Sequence, residues 1–214
     1  TAVSIGIDCG AWESLSKKVR EDYHEFVNLR LGDDTAKDAE KTNLLLIGGT
    51  TERDDQSGNI LNPDIRARYY KEFAEDKADL ITGDAGVEHD KTTTTEEMDT
   101  HKLLLAELVM ALNCQKTGGS FILKIYDMGT EFTMNLLELL SYCYEEIGLF
   151  KPGTSRAASS EKYLVCKHLQ VKDIDREDLL VSLEIILKTD TGVDSEGQSR
   201  YFGNMIGVAN AKLK

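Results

Sequence analysis

The sequence predicts an α/β domain built on a doubly wound, mostly parallel sheet. Three observations carry this. Short apolar runs alternate with stretches of helical spacing. The connections between them are short, as strand–helix–strand units require. With 214 residues, 41% of them apolar and 29% charged, the chain can bury one full core, with at most one appendage.

The elements follow in order. Val3–Ile7 reads as a short strand. From Leu15 to Leu31, Leu15, Val19, Tyr23, Phe26, Val27 and Arg30 recur about one helical turn apart. Asn43–Ile47, closed by Gly48-Gly49, suits a buried strand, and a polar loop follows from Thr50 to Asn59. Asn62-Pro63-Asp64 is a helix start, with Asn as cap, Pro in the first turn and an acid behind it; that helix should run to about Glu75. Asp79–Asp84 reads as a strand ending on an acid, and the Thr-rich stretch from Ala85 to Asp99 as a mobile loop, with Thr92–Thr95 a candidate lid. His101–Asn113 is helical, Leu104, Leu105, Leu108, Val109 and Leu112 forming a wide apolar face, with Gly118-Gly119 as its stop. Phe121–Tyr126 is the next strand. An amphipathic helix should run from about Thr133 to Ile147, stopped by Gly148, and Lys162–Cys166 is the last clear strand. The division expected is a domain over residues 1–170 and an acidic C-terminal extension over 171–214.

Charge and cysteine usage exclude several functions. The 25 basic and 38 acidic residues give a net charge of −13, so bulk charge cannot hold a polyanion; any nucleic acid must be met by a local basic patch. No run approaches the ~18 apolar residues of a membrane span. Cys9, Cys114, Cys143 and Cys166 are scattered without a C-x-x-C pair, which argues against a zinc cage or disulfide framework and for buried thiols. The chain opens on Thr1 without a signal segment, and is expected to be processed or cut from a longer protein.

In a doubly wound sheet ligands sit beyond the carboxyl ends of the strands. Three charged residues fall there: Asp84 closes one strand, Lys124 interrupts the apolar run Phe121–Tyr126, and Glu161 opens the last strand. A lysine inside a buried strand is costly unless paired or neutral. Singly, each has an ordinary reading: a snorkelling lysine, a turn aspartate, a solvated glutamate. Together they suggest a catalytic cluster.

Three segments then carry a specific likeness. They are Asp79–Gly86 (DLITGDAG), Thr117–Asp127 (TGGSFILKIYD) and Leu149–Lys167 (LFKPGTSRAASSEKYLVCK). They resemble the FtsJ-type ribose 2′-O-methyltransferases, above all those specific for mRNA caps. Gly58–Pro63 is similar to the family's segment holding the adenine of S-adenosylmethionine, and the likeness covers Gly58 to Leu169. It implies a Rossmann-like methyltransferase fold and methyl transfer from S-adenosylmethionine to the ribose 2′-hydroxyl of the nucleotide beside the cap. From the family's Lys-Asp-Lys-Glu tetrad, Asp84, Lys124 and Glu161 have counterparts here. Asn59, Ile60 and Asp84 are implied at the cofactor, and Ser155, Arg156 and Ser159 at the RNA. A lysine can take the hydroxyl proton only when neutral; burial and the donor's sulfonium charge lower its pKa while Asp84 and Glu161 raise it, so the acids orient it rather than deprotonate it.

Two departures from the pattern stand out. The family's first lysine has no match, and its glycine-rich cofactor loop, D-x-G-x-x-P-G-G-[FW], is absent; Ile7–Trp12 is a shortened echo. Ser4–Ile7 reads as the family's second strand, so the first strand and the loop are expected upstream of Thr1. The alternative is a decayed site in a catalytically silent RNA-binding or scaffolding domain; another is ribosomal or transfer RNA as substrate. From Lys151 to Lys167, four basic residues (Lys151, Arg156, Lys162, Lys167) face Glu161 alone, a net +3 suited to phosphates. The partners implied are capped RNA and other capping enzymes or domains of a longer chain. The compartment implied is intracellular, nuclear for a cellular enzyme and cytoplasmic for a viral one.

Overall fold

The computed structural model describes residues 2–5, 59–85, 96–153, 155, 158–171 and 173–188. The helix expected over Leu15–Leu31, the strand at Asn43–Ile47, the Thr50–Gly58 stretch, Cys9, Thr92–Thr95, Arg156 and the segment after Lys188 lie outside the described residues. Residues 1–7 and 60–214 form one unit and residues 8–59 another; Asn59, half-buried, belongs to the second.

Among the described residues five strands form one sheet: β1 (Ala2–Ile5), β2 (Ala78–Gly83), β3 (Gln115–Ile125), β4 (Tyr144–Phe150) and β5 (Lys162–Leu169), in the order β1-β2-β3-β5-β4. β1, β2 and β3 pair in parallel, and β5 runs antiparallel to both β3 and β4. Four strands therefore point one way and β5 alone returns, as the mostly parallel reading requires. Among the described residues four helices accompany them: α1 (Pro63–Glu72), α2 (Glu96–Cys114), α3 (Glu131–Cys143) and α4 (Asp173–Lys188).

The start of α1 is as the sequence indicates. The Asn62 side chain accepts the Asp64 N–H at 2.9 Å, with Pro63 in the first turn. α2 begins at Glu96, inside the stretch expected to be loop as far as Asp99. It also departs from its expected one-sided character: every residue from Leu103 to Leu112 is buried, because the helix lies against β2, β3, α1, α3 and α4 at once. A helix apolar all round belongs inside.

Two helix ends are corrected. Gly118-Gly119 do not stop α2; the chain passes from Cys114 directly into β3, and both glycines lie within that strand. Register jumps from Ala78↔Gln115 to Leu80↔Ser120, so β3 carries a wide bulge there. Gly118 has φ +82°, and a Cβ on Gly119 would stand 2.9 Å from the carbonyl oxygens of Asp79 and Lys116. Likewise α3 stops at Cys143 rather than at Ile147, and Tyr144–Phe150 becomes the edge strand β4. Strand pairing with β5, Ile147 against Cys166 and Leu149 against Leu164, overrides the helical spacing.

The segment after Val171, which offered little signal as sequence, contains α4. Leu179, Leu183, Ile186 and Leu187 are buried, and the helix lies on α2. Two polar ties hold it. Arg176 donates to the Gln115 carbonyl at 3.1 Å, and Glu184 accepts from Arg66 at 2.7 and 3.2 Å and from the Tyr70 hydroxyl at 2.9 Å. Arg66 is 2% exposed and also donates to the carbonyls of Ile60 and Leu61. Cys114, Cys143 and Cys166 are buried free thiols, raised to about 12 by burial.

Candidate active site

Strand direction brings the ends of β2 and β3 and the start of β5 to one edge of the sheet. Gly83 is level with Leu123, Lys124 with Tyr163, and Ile125 with Lys162. Asp84 and Glu161 lie immediately outside β2 and β5 at that edge. The three residues singled out by charge therefore converge.

Lys124 is the centre. Its Nζ lies 2.7 Å from Asp84 Oδ1 and donates to the Asp84 carbonyl at 3.4 Å. The lysine side chain is 13% exposed, whereas that of Asp84 is 58% exposed. Burial pulls the Lys124 pKa down, but the Asp84 hydrogen bond and charge, with Tyr126 and Glu161 behind them, hold it above the ordinary lysine value. The amine is an ammonium at neutral pH. Glu161 acts on it at longer range; its own Oε1 accepts the Tyr163 hydroxyl at 3.1 Å. The Tyr126 ring centroid stands 6.0 Å from the lysine nitrogen, at the limit of a cation–π contact.

Two groups beside the cluster escaped the sequence reading. Tyr163 faces Lys124 across the β3–β5 pair; burial first, then Asp84 and Glu161, push its phenol up to about 12, so it stays a hydrogen-bond donor. Only the strand register reveals that neighbour. Glu107 on α2 is 1% exposed, and its Oε1 accepts the Ala85 N–H at 2.9 Å. Here a signal was available: it is the one charged residue in the apolar run Leu103–Leu112.

The other predicted residues sit as follows. Ile60 is wholly buried and its carbonyl accepts from Arg66 at 2.7 Å. Ser155 closes a turn, its N–H donating to the Pro152 carbonyl at 3.0 Å. The Ser159 hydroxyl accepts the Glu161 N–H at 3.3 Å, and its carbonyl accepts from Lys151, which also reaches the Glu161 carbonyl at 3.2 Å. Lys151 thus ties the 151–161 loop to the edge where Glu161 stands.

The net +3 of this segment is not all local. Lys162 lies beside Ile125 at the site edge, donating to the carbonyls of Ser160 and Tyr126 with Asp127 at 3.5 Å. Lys167 lies beyond the Cys166↔Phe121 pair, toward the opposite edge, and is neutralised by Glu146 at 2.9 Å. A linear charge count cannot see that a strand carries its two ends to opposite edges.

Asp84 is more than half exposed beside the half-buried Lys124 ammonium, so this edge leaves a carboxylate open to a ligand. The family comparison agrees. Residues 6–169 match the FtsJ-like methyltransferase family. The human and the Bos taurus cap-specific mRNA (nucleoside-2′-O-)-methyltransferase 1 are each 36% identical over 147 residues, covering 66% of this chain. The chain spans 18% of the length of these relatives. Among solved structures, a putative ribosomal RNA methyltransferase from Plasmodium falciparum is 20% identical, covering 80% of this chain and 87% of that one, with a TM-score of 0.46. Human methyltransferase-like protein 13 in complex with SAH is 15% identical, covering 91% and 85%, with a TM-score of 0.42. S-adenosylmethionine is the cofactor of FtsJ-like methyltransferases, whose fold is Rossmann-like. On its family match over residues 6–169, the chain belongs to the FtsJ-like methyltransferases.

Proposed function

We propose that the protein carrying this chain transfers a methyl group from S-adenosylmethionine to the ribose 2′-hydroxyl of the nucleotide adjacent to an mRNA cap. The carrying observation is the half-buried Lys124 ammonium held 2.7 Å from Asp84 at the carboxyl edge of the sheet. The 36% identity to cap-specific enzymes supports the substrate class.

The bound cofactor supplies a methyl carbon activated by a sulfonium, and its positive charge opposes that of Lys124. Asp84 fixes the direction of the Lys124 Nζ. The Lys124 ammonium must first lose its proton to solvent, a loss that the sulfonium charge would favour; the neutral amine then takes the proton of the ribose hydroxyl as that oxygen bonds to the methyl carbon and the carbon–sulfur bond breaks, and Asp84 and Glu161 stabilise the ammonium that re-forms. Tyr163, two residues on in β5, holds the Glu161 carboxylate in place through its hydroxyl. Asp84 is assigned to the donor, together with Asn59 and the Ile60 backbone at its adenine end. Ser155, Arg156 and Ser159, with Lys151 and Lys162, are assigned to the RNA backbone, where phosphate contacts set register. Capped RNA is the proposed partner, with other capping enzymes or domains of a longer chain beside it. The compartment is intracellular, nuclear in a cell and cytoplasmic for a virus.

Methyl incorporation into matched capped and uncapped short RNAs tests the substrate. Labelling of the capped RNA alone, at the first transcribed ribose, supports the proposal. Equal labelling of both removes cap specificity, and labelling of neither removes the activity.

A further inference from the structure

Glu107 has no part in the reaction as set out above, yet it costs free energy where it stands. A carboxyl inside a run of buried apolar residues is penalised by desolvation, heavily if it stays ionised and less if it is held protonated. Its surroundings indicate what it returns. Its Oε1 accepts the buried Ala85 N–H at 2.9 Å. A Cβ on Gly83 would stand 3.0 Å from the same oxygen and 3.1 Å from Leu123 Cδ1. The two residues flanking Asp84 therefore both rest on one carboxyl, Ala85 by a hydrogen bond and Gly83 by an approach that only glycine makes without displacement. The Asp84 carbonyl between them accepts from Lys124 at 3.4 Å. An apolar side chain at 107 would leave the Ala85 N–H unpaired and the turn untethered.

The charged groups facing Glu107 are Asp84 from the end of β2 and Lys124 from β3. Burial pushes Glu107 up to about 8, Asp84 adds to the rise, and the Ala85 N–H and Lys124 oppose it. Around neutrality the carboxyl is mostly protonated, so it anchors the turn without adding a second negative charge beside Asp84.

We propose that Glu107 is a positioning residue: by holding the Gly83–Asp84–Ala85 turn it sets where the Asp84 carboxylate meets Lys124, and through that pair the alignment of the amine with the ribose hydroxyl. The inference rests on the methyl-transfer reading.

The test uses the full-length protein, S-adenosylmethionine and a short capped RNA. Glu107→Gln keeps the volume and a carbonyl acceptor for Ala85; Glu107→Leu keeps the volume only. The Gln variant should hold kcat within about threefold, while the Leu variant loses about tenfold or more in kcat with both KM values little changed. A merely structural role would lower Tm in both and leave kcat of the folded enzyme intact. A folded Leu variant with normal kcat overturns the proposal, as does a Gln variant no better than Leu. Should the Leu variant not fold, the rate–pH profile decides. The wild-type profile bends near pH 8, where Glu107 ionises beside Asp84 and Lys124, and the Gln profile is straight there; a bend that survives the substitution overturns the proposal. Lys124→Ala is the control. Its inactivity beside a normal Glu107→Leu sinks this inference alone, whereas turnover by Lys124→Ala sinks the methyl-transfer reading beneath it.

Discussion

Removing the Glu184 carboxylate should be among the most damaging single changes outside the catalytic edge. Glu184→Ala takes both guanidinium contacts from Arg66, at 2.7 and 3.2 Å, and the acceptor of the Tyr70 hydroxyl at 2.9 Å. Arg66 is 2% exposed and cannot turn to solvent, so it keeps its charge with the Ile60 and Leu61 carbonyls and the Tyr70 hydroxyl but no carboxylate to face. Breaking a buried pair on one side costs roughly 3–5 kcal/mol. Glu184 is 23% exposed, so water reaches the vacated place and the cost falls to about 2–4 kcal/mol. For a chain of 214 residues this lowers Tm by about 4–16 °C. Urea unfolding of wild type and variant at pH 7 measures it. The wild-type margin should also shrink in acid. The Glu184 carboxyl is desolvated, but Arg66 and Tyr70 hold its pKa below the ordinary 4.5, so its contribution is full above that value and is lost as pH falls through the folded pKa. Replacing both partners with apolar residues, Arg66→Met with Glu184→Leu, should recover most of the loss. A single-variant loss under about 1 kcal/mol, or a double variant no better than the single, would refute the reasoning.

Three further outcomes are expected. Gly83→Ala forces a methyl group to 3.0 Å from Glu107 and 3.1 Å from Leu123; the overpacking should cost about 1–3 kcal/mol in denaturant unfolding, and a neutral result would mean that the end of β2 is slack. His101, 4% exposed and stacked on Phe132, is brought down to about 4 by burial. Its contribution is full above 6.5 and is lost as pH falls toward 4, at most about 3 kcal/mol, so His101→Phe should flatten the stability–pH curve in that window. Asp84→Asn removes the negative charge that raises Lys124 and leaves only a neutral acceptor, so the alkaline rise in methyl-transfer rate should begin at lower pH while the maximal rate falls. An unmoved inflection would separate Asp84 from the titration of Lys124.

The sheet was largely legible because buried strands leave compact apolar runs, and Asn62-Pro63-Asp64 states its own helix start. The convergence of Asp84, Lys124 and Glu161 was legible because a lysine in an apolar strand is anomalous in one dimension. Long-range pairing was not. Tyr144–Phe150 follows α3 without a break, and its strand character comes from β5, a later stretch of chain that supplies pairs such as Tyr144↔Leu169 and Phe150↔Tyr163. Gly118-Gly119 look like a helix stop, and only the Ala78↔Gln115 and Leu80↔Ser120 pairs reveal a bulge. Tyr163 becomes a neighbour of Lys124 through register alone, and the pairing of Lys167 with Glu146 on the far side of the sheet is hidden for the same reason.

The account turns on the Lys124 amine. Its most direct test is single-turnover methyl transfer to capped RNA by the full-length protein carrying Lys124→Ala, with cofactor binding measured in parallel. The account predicts intact S-adenosylmethionine binding and a rate lower by at least about a hundredfold. Near-normal transfer by a folded, cofactor-bound Lys124→Ala protein would contradict it.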